Sequence, residues 1–464
     1  MIDTQAIRSK ILDLAMRGKL TEQLPKDGTA EELYRQIQAE KQALIKADKS
    51  KKEKPLAEIA ADEVPFEIPK SWKWARIGAV LKLQSGKNIT ASDIKNVPDD
   101  NHMIPCYGGN GQRGFVGQAN TEGFHAIIGR QGALCGNINF AEGPFYATEH
   151  AVVVYGYAAT NMKWAGITLR SLNLNQYATS VAQPGLAVNK IDNVPMPLPP
   201  LAEQHRIVAR IEQAFSALDT IDALQAKYAD NLAVLKSKLI DAAIQGKLTE
   251  QLPEDGTAEE LYRRIQAEKQ ALIKAGKLKK EKPLPEITAN EIPFEIPANW
   301  KWVRLGNIGI TTTGGTPSKT HPEYYGGDYP FFKPSDLDAG RHIAKASEYL
   351  SEAGKVVSRQ FQQNSILVCC IGSIGKAAII DTDGTANQQI NALTPLNSDS
   401  DYLLYAISSG AFQHQLDQES RATTVSIINK SKFDNCILPL PPFAEQKRIV
   451  AKLEELLPLC ERLK

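Results

Sequence analysis

GKLTEQLPKDGTAEELYRQIQAEKQALIKA at Gly18–Ala47 returns as GKLTEQLPEDGTAEELYRRIQAEKQALIKA at Gly246–Ala275. The copy runs on without a gap: residues 18–78 match residues 246–306 at an offset of 228, with 49 of 61 positions identical. Its far end holds VPFEIPKSWKWARIG (Val64–Gly78) and IPFEIPANWKWVRLG (Ile292–Gly306). A second shared element, VPMPLPPLAEQHRIV at Val194–Val208, recurs as CILPLPPFAEQKRIV at Cys436–Val450, now at an offset of 242. Between the shared elements lie two stretches, about 79–190 and 307–432, that hardly resemble each other. The second is longer by 14 residues, the difference between the two offsets. An internal repeat of this kind decides the architecture before any single element does. Duplication alone lets both parts drift alike, so near-identical parts are expected to face identical partners and divergent parts different targets.

The chain ends extend the repeat. Through the offset of 228, Ile7 aligns with Leu235, Ser9-Lys10 with Ser237-Lys238 and Asp13 with Asp241. Through the offset of 242, Lys464 aligns with Asp222. The two ends together amount to one nearly complete copy of segment 201–245, so the chain reads as a two-unit ring cut once in a helix, with pseudo-twofold symmetry.

That central segment predicts one long helix. Pro199-Pro200 stand where a helix starts, Glu203 suits the positive N-terminal dipole, and Gly246 supplies a stop. Ile207, Ile211, Ala214, Leu218, Ile221, Gln225, Tyr228, Leu232, Leu235, Leu239 and Ala242 alternate at fours and threes, a heptad-like seam with one polar position. About 45 residues at 1.5 Å each make a rod of roughly 65 Å. The helix shared between the chain ends, with Ile449 and Leu453 on its apolar face, is the expected antiparallel partner. A shorter helix is expected over 29–47, with Thr29 and Glu32 as a capping box and Leu33, Ile37 and Leu44 on one face. Thr257, Glu260, Leu261, Ile265 and Leu272 repeat it. Basic runs follow, Lys46–Lys54 and Lys274–Lys282; each reads as a solvated helix end or as a sequence-independent phosphate contact.

The divergent stretches have domain size and carry short β-rich runs, AVVVY at Ala151–Tyr155, ILVCC at Ile366–Cys370 and AAII at Ala377–Ile380, separated by Gly, Asn and Pro. Each predicts a compact mixed α and β domain with a twisted sheet and large loops. In the first, the loops present Tyr107, Asn110, Gln112, Arg113, Arg130, Gln131 and Lys190. In the second they present Thr316, Ser318, Lys319, Lys333, Ser335, Lys376, Gln388, Gln389 and Arg421. These are the side chains that hydrogen-bond base edges: Arg or Lys to guanine O6/N7, Asn or Gln to adenine N6/N7. Gly/Asn loops are also ordinary turn chemistry.

Composition bounds the function. With 464 residues, 42% hydrophobic and 23% charged, the chain is an ordinary globular protein of more than one domain. A formal net charge of +1 gives no global sign of nucleic-acid binding, so a DNA role must rest on local organisation. The six cysteines include no CxxC pair and no His cluster, which predicts reduced structural thiols and a cytoplasmic location. No run has the length and apolarity of a membrane span or signal peptide. No NPPY/DPPY-type methyltransferase motif and no GxxxxGK(S/T) phosphate loop is present; GSIGK at Gly372–Lys376 has the wrong spacing and reads as a strand–strand turn. Asp336 and Asp338 stand near lysines without forming a recognisable nuclease arrangement.

IPxxWxWxRxG, a following domain, PLPPxAEQxRIV and a long helix, all present twice, resemble the specificity subunits of type I restriction–modification enzymes. GGTPSKTHPEYYGGDYPFFKPSDL with IGSIGKAAIIDTDGTANQQINAL resembles that family's target-recognition domain closely, and YGGNGQRGFVG with GRQGALCGNINFAEGPFYATEHAVVV resembles it more loosely. The resemblance implies an α+β protein: two mixed α/β target-recognition domains separated by two long antiparallel coiled-coil-like helices. The expected segments are an N-terminal repeated helical region (1–54), a first recognition domain (55–198), a central helical spacer (199–282), a second recognition domain (283–440) and a C-terminal spacer helix (441–464). It also implies a non-catalytic subunit that reads a bipartite asymmetric site on double-stranded DNA. The helices would dock two modification (methyltransferase) subunits and, through the complex, the restriction subunits. S-adenosylmethionine, ATP and Mg are expected on those partners and no cofactor or metal on this chain. The alternative is a helical protein–protein adaptor without DNA readout, which explains the repeat but not the divergence between its copies.

Overall fold

A helix begins at Leu201, directly after Pro199-Pro200, and runs 44 residues to Ile244, where Gly246 turns the chain at φ +73°. Proline is at home before the first turn and glycine just past the last, and the ends of this helix obey both preferences. The computed structural model describes residues 1–47, 56–132, 134–178, 185–421 and 426–462. The chain folds as two units, Met1–Ala226 and Lys227–Lys464. The expected basic run over Lys46–Lys54, beyond Ala47, and the expected boundary at 54/55 lie outside the described residues. No helix among the described residues is long and apolar enough to cross a membrane.

In the first unit, helix Thr4–Met16 packs antiparallel to the first half of the central helix. Ile2 N donates to the Gln225 amide at 2.5 Å, Thr4 Oγ1 to Asp222 at 2.6 Å, and Arg8 spans Asp219 and Asp222 at 2.8 and 3.0 Å. In the second unit, helix Phe443–Arg462 packs against the second half, with Lys236 on Glu461 at 2.8 Å and Ile449 and Leu453 in one core with Leu239, Ala243 and Ile244. The expected antiparallel helix pairs are therefore present.

The seam itself needs correction. Leu218 and Leu232 are buried, but Tyr228 is 40% exposed and Leu235 41%. At about 100° per residue, Leu235 stands roughly 60° and Tyr228 roughly 40° round from Leu232, on the rim of the stripe. Ile7, the repeat counterpart of Leu235, is also exposed. Ile207 and Ile211 are buried as expected, though in the core of the first domain with Trp72 and Trp164 as well as against the N-terminal helix. The shorter helices cover Ala30–Ala47 and Ala258–Lys274, each with its reciprocal capping box at Thr29/Glu32 and Thr257/Glu260. Leu33, Ile37, Leu261 and Ile265 are buried, whereas Leu44 is exposed, one turn beyond the surface that the helix covers.

The two divergent domains share one topology despite their unlike sequences. In the first, a four-stranded sheet has the order Leu81–Ser85, Ala151–Gly156, His125–Gly129, Ile138–Ala141, beside a three-stranded sheet of Gly111–Val116, Ile104–Gly108 and Tyr146–Ala147. In the second, the order is Gly309–Thr313, Ile390–Pro395, Ile366–Cys369, Ala377–Ile380 with His342–Ile343 added at the edge. Its three-stranded sheet is Glu348–Leu350, Tyr325–Phe332 and Thr385–Ala386. The larger sheet is covered on both faces. Ile128, Val152 and Val154 face helix Met162–Ser171 through Trp164, while Ile127 and Val153 meet Phe145 and Ala147 of the smaller sheet. In the second domain Ile366, Val368 and Leu393 pack with Tyr402 and Leu403, while Leu367 and Ala392 meet Phe332 and Phe361. Strands buried on both faces read as unbroken apolar runs, which is why AVVV and ILVC lack alternation. Each fully buried aliphatic side chain there contributes about 1.5–3 kcal/mol. All six cysteines are free and buried; burial pushes the Cys370 and Cys436 thiols up to about 12.

Candidate nucleic-acid interface

The repeated residues build a seam beneath each divergent domain. Glu203, buried in the first turn of the central helix, accepts from Trp72 Nε1 at 2.8 Å, Thr21 Oγ1 at 2.9 Å and Gln23 Nε2 at 2.6 Å. Glu445 accepts from Trp300 Nε1 at 2.8 Å, Thr249 Oγ1 at 3.0 Å and Gln251 Nε2 at 2.9 Å. The next residue ties the seam to the domain above. Gln204 Oε1 accepts from Asn161 N at 3.0 Å and Gln446 Oε1 from Asp399 N at 2.9 Å, and Asn161 and Asp399 are the N-caps of the helices that cover the two sheets.

Arg76 binds Glu63 through two nitrogens and donates to the carbonyls of Ala57, Glu58 and Asn193. Arg304 does the same with Glu291, Pro285, Glu286 and Asn435. The guanidinium holds Glu63 and Glu291 down to about 2, against 4.5 for an unperturbed glutamate. These motifs recur in the sequence, and in the fold they join residues 13 to 196 positions apart.

Above the seam, the loops of the first domain converge. The hairpin tip Gly108–Arg113 lies on loops 129–132 and 148–150: a Cβ at Gly109 would sit 3.0 Å from Gln131 O and 3.3 Å from His150 O. Arg130 N donates to His150 O at 3.0 Å, and its side chain reaches Ser85 Oγ at 3.2 Å. Asn110, Gln112 and Arg113 are exposed along the tip, and Tyr107 stacks edge-on against Phe145. Among the described residues, seven buried side-chain polar atoms lack a hydrogen-bond partner, and four belong to this region: Arg130 Nε, Asn139 Nδ2, Glu149 Oε2 and His150 Nδ1. A buried group left unmatched costs on the order of 1–3 kcal/mol, so their gathering in one place needs a reason.

In the second domain the equivalent loops meet in the same way. Thr316 Oγ1 donates to Gln388 Oε1 at 2.5 Å, and Asn387 and Gln389 bond each other through Nδ2 to Oε1 at 3.0 Å. Lys376 pairs with Asp338 at 2.7 Å and also reaches Pro334 O, while Lys333 pairs with Glu348 at 2.7 Å. Asp336 accepts from the backbone of Lys333 and Ser347, so it closes a turn. Ser318 and Lys319 are exposed on the preceding loop, and Ser335 on the turn. GSIGK is the expected strand–strand turn, with Gly372 at φ +81° and Gly375 at φ +86°.

The two loop sets hang on matching backbone bonds. Thr148 N donates to Tyr107 O and Asn387 N to Phe332 O; Arg130 N to His150 O and Cys370 N to Gln389 O. Gly86 N donates to Ala151 O and Gly314 N to Ile390 O; Leu186 N to Arg130 O and Ile428 N to Cys370 O. The backbone is the same, and the side chains on it differ.

One expected residue falls elsewhere. Lys190 lines a groove of about 780 Å³ with Glu63, Arg76 and Asn193, on the seam side of the first domain. Its counterpart Lys432 lines a groove of about 520 Å³ with Glu291, Arg304 and Asn435. Arg421 ends helix Gly410–Arg421 and pairs with Asp417 at 3.0 Å; no contact among the described residues joins it to the loops. The sequence reading passed over Ser85, Glu149 and His150. The signal was available: ATEH before AVVV stands where ANQQ stands before INAL. Among the described residues no group of three or more His, Cys, Asp or Glu is placed to hold a metal ion.

Comparison with known proteins agrees with this architecture. The family model described as type I restriction modification DNA specificity domain matches residues 69–227 and again 297–463. The chain is 26% identical to the type I restriction enzyme EcoEI specificity subunit and 29% to the EcoAI specificity subunit, both from Escherichia coli; each alignment covers 99% of this chain and 90% of the relative. A chain from a solved type I R-M system has the same fold, with a TM-score of 0.58 at 20% identity over 86% of this chain and 93% of that one. With two copies of the specificity domain on one repeated seam, the chain belongs to the family of type I restriction–modification specificity subunits, which are non-catalytic.

Proposed function

We propose that each divergent domain reads one half of a bipartite asymmetric DNA site, while the repeated helices set the spacing and dock two modification (adenine methyltransferase) subunits and, through them, the restriction subunits. The observation that carries this reading is the matched loop scaffold: one set of backbone bonds presents Glu149 and His150 in one copy and Gln388 and Gln389 in the other. A duplicated binder of one target would keep the side chains together with the scaffold. A reader of two different half-sites keeps the scaffold and changes the side chains, because base edges are distinguished by donor and acceptor pattern.

The seam supports the second part. Trp72/Glu203 and Trp300/Glu445 repeat bond for bond, so the buried frame beneath both copies is the same and holds the flanking helices alike, as suits a chain that meets the same kind of subunit twice. Lys333 and Lys376 stand in partly exposed ion pairs, worth about 0–1 kcal/mol each, which a DNA phosphate can displace. S-adenosylmethionine, ATP and Mg belong, on this reading, to the partner subunits.

The test is co-expression with the modification subunit followed by single-molecule sequencing for methylated adenine. A bipartite asymmetric motif lost when this chain is omitted is the expected result. A stable complex without methylation would leave a helical adaptor without DNA readout. Exchanging residues 79–190 for another domain of the family should change one half-site only; a change at both would sink the modular reading.

A further inference from the structure

We propose that Thr148-Glu149-His150 and Asn387-Gln388-Gln389 are equivalent base-reading elements, each meeting the same step of its own half-site. This rests on the reading of the two domains as half-site readers and names the residues that carry it. The equivalence is geometric. Both tripeptides link the short strand of the smaller sheet, Tyr146–Ala147 or Thr385–Ala386, to the last strand of the larger one. Both are held from either side by the same backbone bonds, Thr148 N to Tyr107 O and Arg130 N to His150 O in one, Asn387 N to Phe332 O and Cys370 N to Gln389 O in the other.

A third element presses on each from below. A Cβ at Gly86 would lie 2.2 Å from Thr148 O, and one at Gly314 would lie 2.2 Å from Asn387 O, so only glycine lets that loop approach so closely. A binding element clamped on several sides holds its side chains within the tolerance that base readout requires.

The side chains differ in kind. Gln388 and Gln389 offer amides, each with a donor and an acceptor, which match adenine N6 and N7. Glu149 offers a carboxylate whose Oε1 pairs with His150 Nε2 at 3.1 Å and whose Oε2 is buried without a partner, and a carboxylate accepts from the cytosine N4 amino group. His150 Nδ1, Arg130 Nε and Asn139 Nδ2 are unmatched in the same loop region. A cytosine of a G·C pair therefore falls to Glu149, and an adenine of an A·T pair to Gln388 and Gln389.

The experiment transplants one tripeptide into the other copy in the full complex and reads the methylated motif by sequencing. The variant Thr148→Asn/Glu149→Gln/His150→Gln should lose its G·C requirement at one step, or two adjacent steps, of the first half-site and keep the second half-site. Gln388→Ala, at an exposed position, should relax one A·T step of the second half-site, with methylation of mismatched sites rising roughly five- to a hundredfold. An unchanged second half-site in Gln388→Ala overturns the proposal even where the triple variant does not assemble, and so does a change spread over both half-sites. A wild-type complex with no bipartite motif instead overturns the half-site reading beneath it.

Discussion

At the foot of each divergent domain the two halves of the chain repeat the same tryptophan–glutamate and arginine–glutamate bonds; at the loop ends they agree only along the backbone. Trp72 meets Glu203 and Trp300 meets Glu445 at the same 2.8 Å, with a threonine and a glutamine completing both carboxylates. A few strands away, Glu149 stands where Gln388 stands and His150 where Gln389 stands, on backbone bonds that have not changed. The difference separates two kinds of constraint. A buried carboxylate with three donors cannot be replaced without leaving all three unmatched, so the acceptor at the centre of the group is held in place by its partners. A side chain at a loop end has few protein partners, and its replacement costs the fold little. The first kind of residue holds the copy together, and the second is free to define what the copy recognises.

The strongest way to break this contrast is to remove the shared carboxylates. Glu203→Ala and Glu445→Ala each orphan a buried tryptophan donor and remove the acceptor of a half-buried threonine and an exposed glutamine, so each variant should lose roughly 2–4 kcal/mol in equilibrium denaturation. Losses below about 1 kcal/mol, or a large disparity between the two variants, would undo the claim that the seams are equivalent. Next come the glycines that admit the neighbouring chain. Gly18 and Gly246 have φ of +64° and +73°, and an added Cβ would lie 2.5 Å from Pro69 or Pro297. Gly18→Ala and Gly246→Ala should each destabilise by roughly 1–3 kcal/mol, and thermal melts of the pair should shift alike.

A smaller effect is expected from acid. Glu63 and Glu291 are depressed in the folded protein, so their contribution is complete above the unperturbed value of 4.5 and falls away as the pH drops toward about 2. Denaturation curves between pH 7 and pH 3 should show that loss, and Arg76→Ala and Arg304→Ala should flatten it. An unaltered pH slope would mean that the arginine pairs do not hold the carboxylates. The smallest effect on stability belongs to the loops. Asn110→Ala, at the exposed hairpin tip, should stay within about 0.5 kcal/mol of the parent while altering the methylated motif or its rate. A cost as large as that of the seam variants would erase the distinction between the two regions.

Legibility followed the same division. Capping boxes, proline before the first turn, glycine past the last and apolar spacing are local signals, so the bounds of the helices were readable to within a residue or two. Heptad counting went astray at Tyr228 and Leu235, because spacing alone does not say how wide a stripe the neighbouring structure covers. The shared topology of the divergent domains was not legible, since strands buried on both faces lose the alternation that would have aligned them. Lys190 has the chemistry of a base reader, yet the fold sets it on the seam side of its domain, apart from the loops.

By itself, the sequence determined that this protein is a duplication: two near-identical frames with unlike inserts, long helices with readable ends, and membership of a family whose motifs occur twice. Tertiary structure decided what those motifs do. Trp72 finds Glu203 across 131 positions and Asn387 finds Phe332 across 55, and contacts so distant leave no period in the chain to read. Which polar residues share a surface is set by how strands stack and loops close, and that geometry brings Arg130, His150 and the hairpin tip together while placing Lys190 on the seam side.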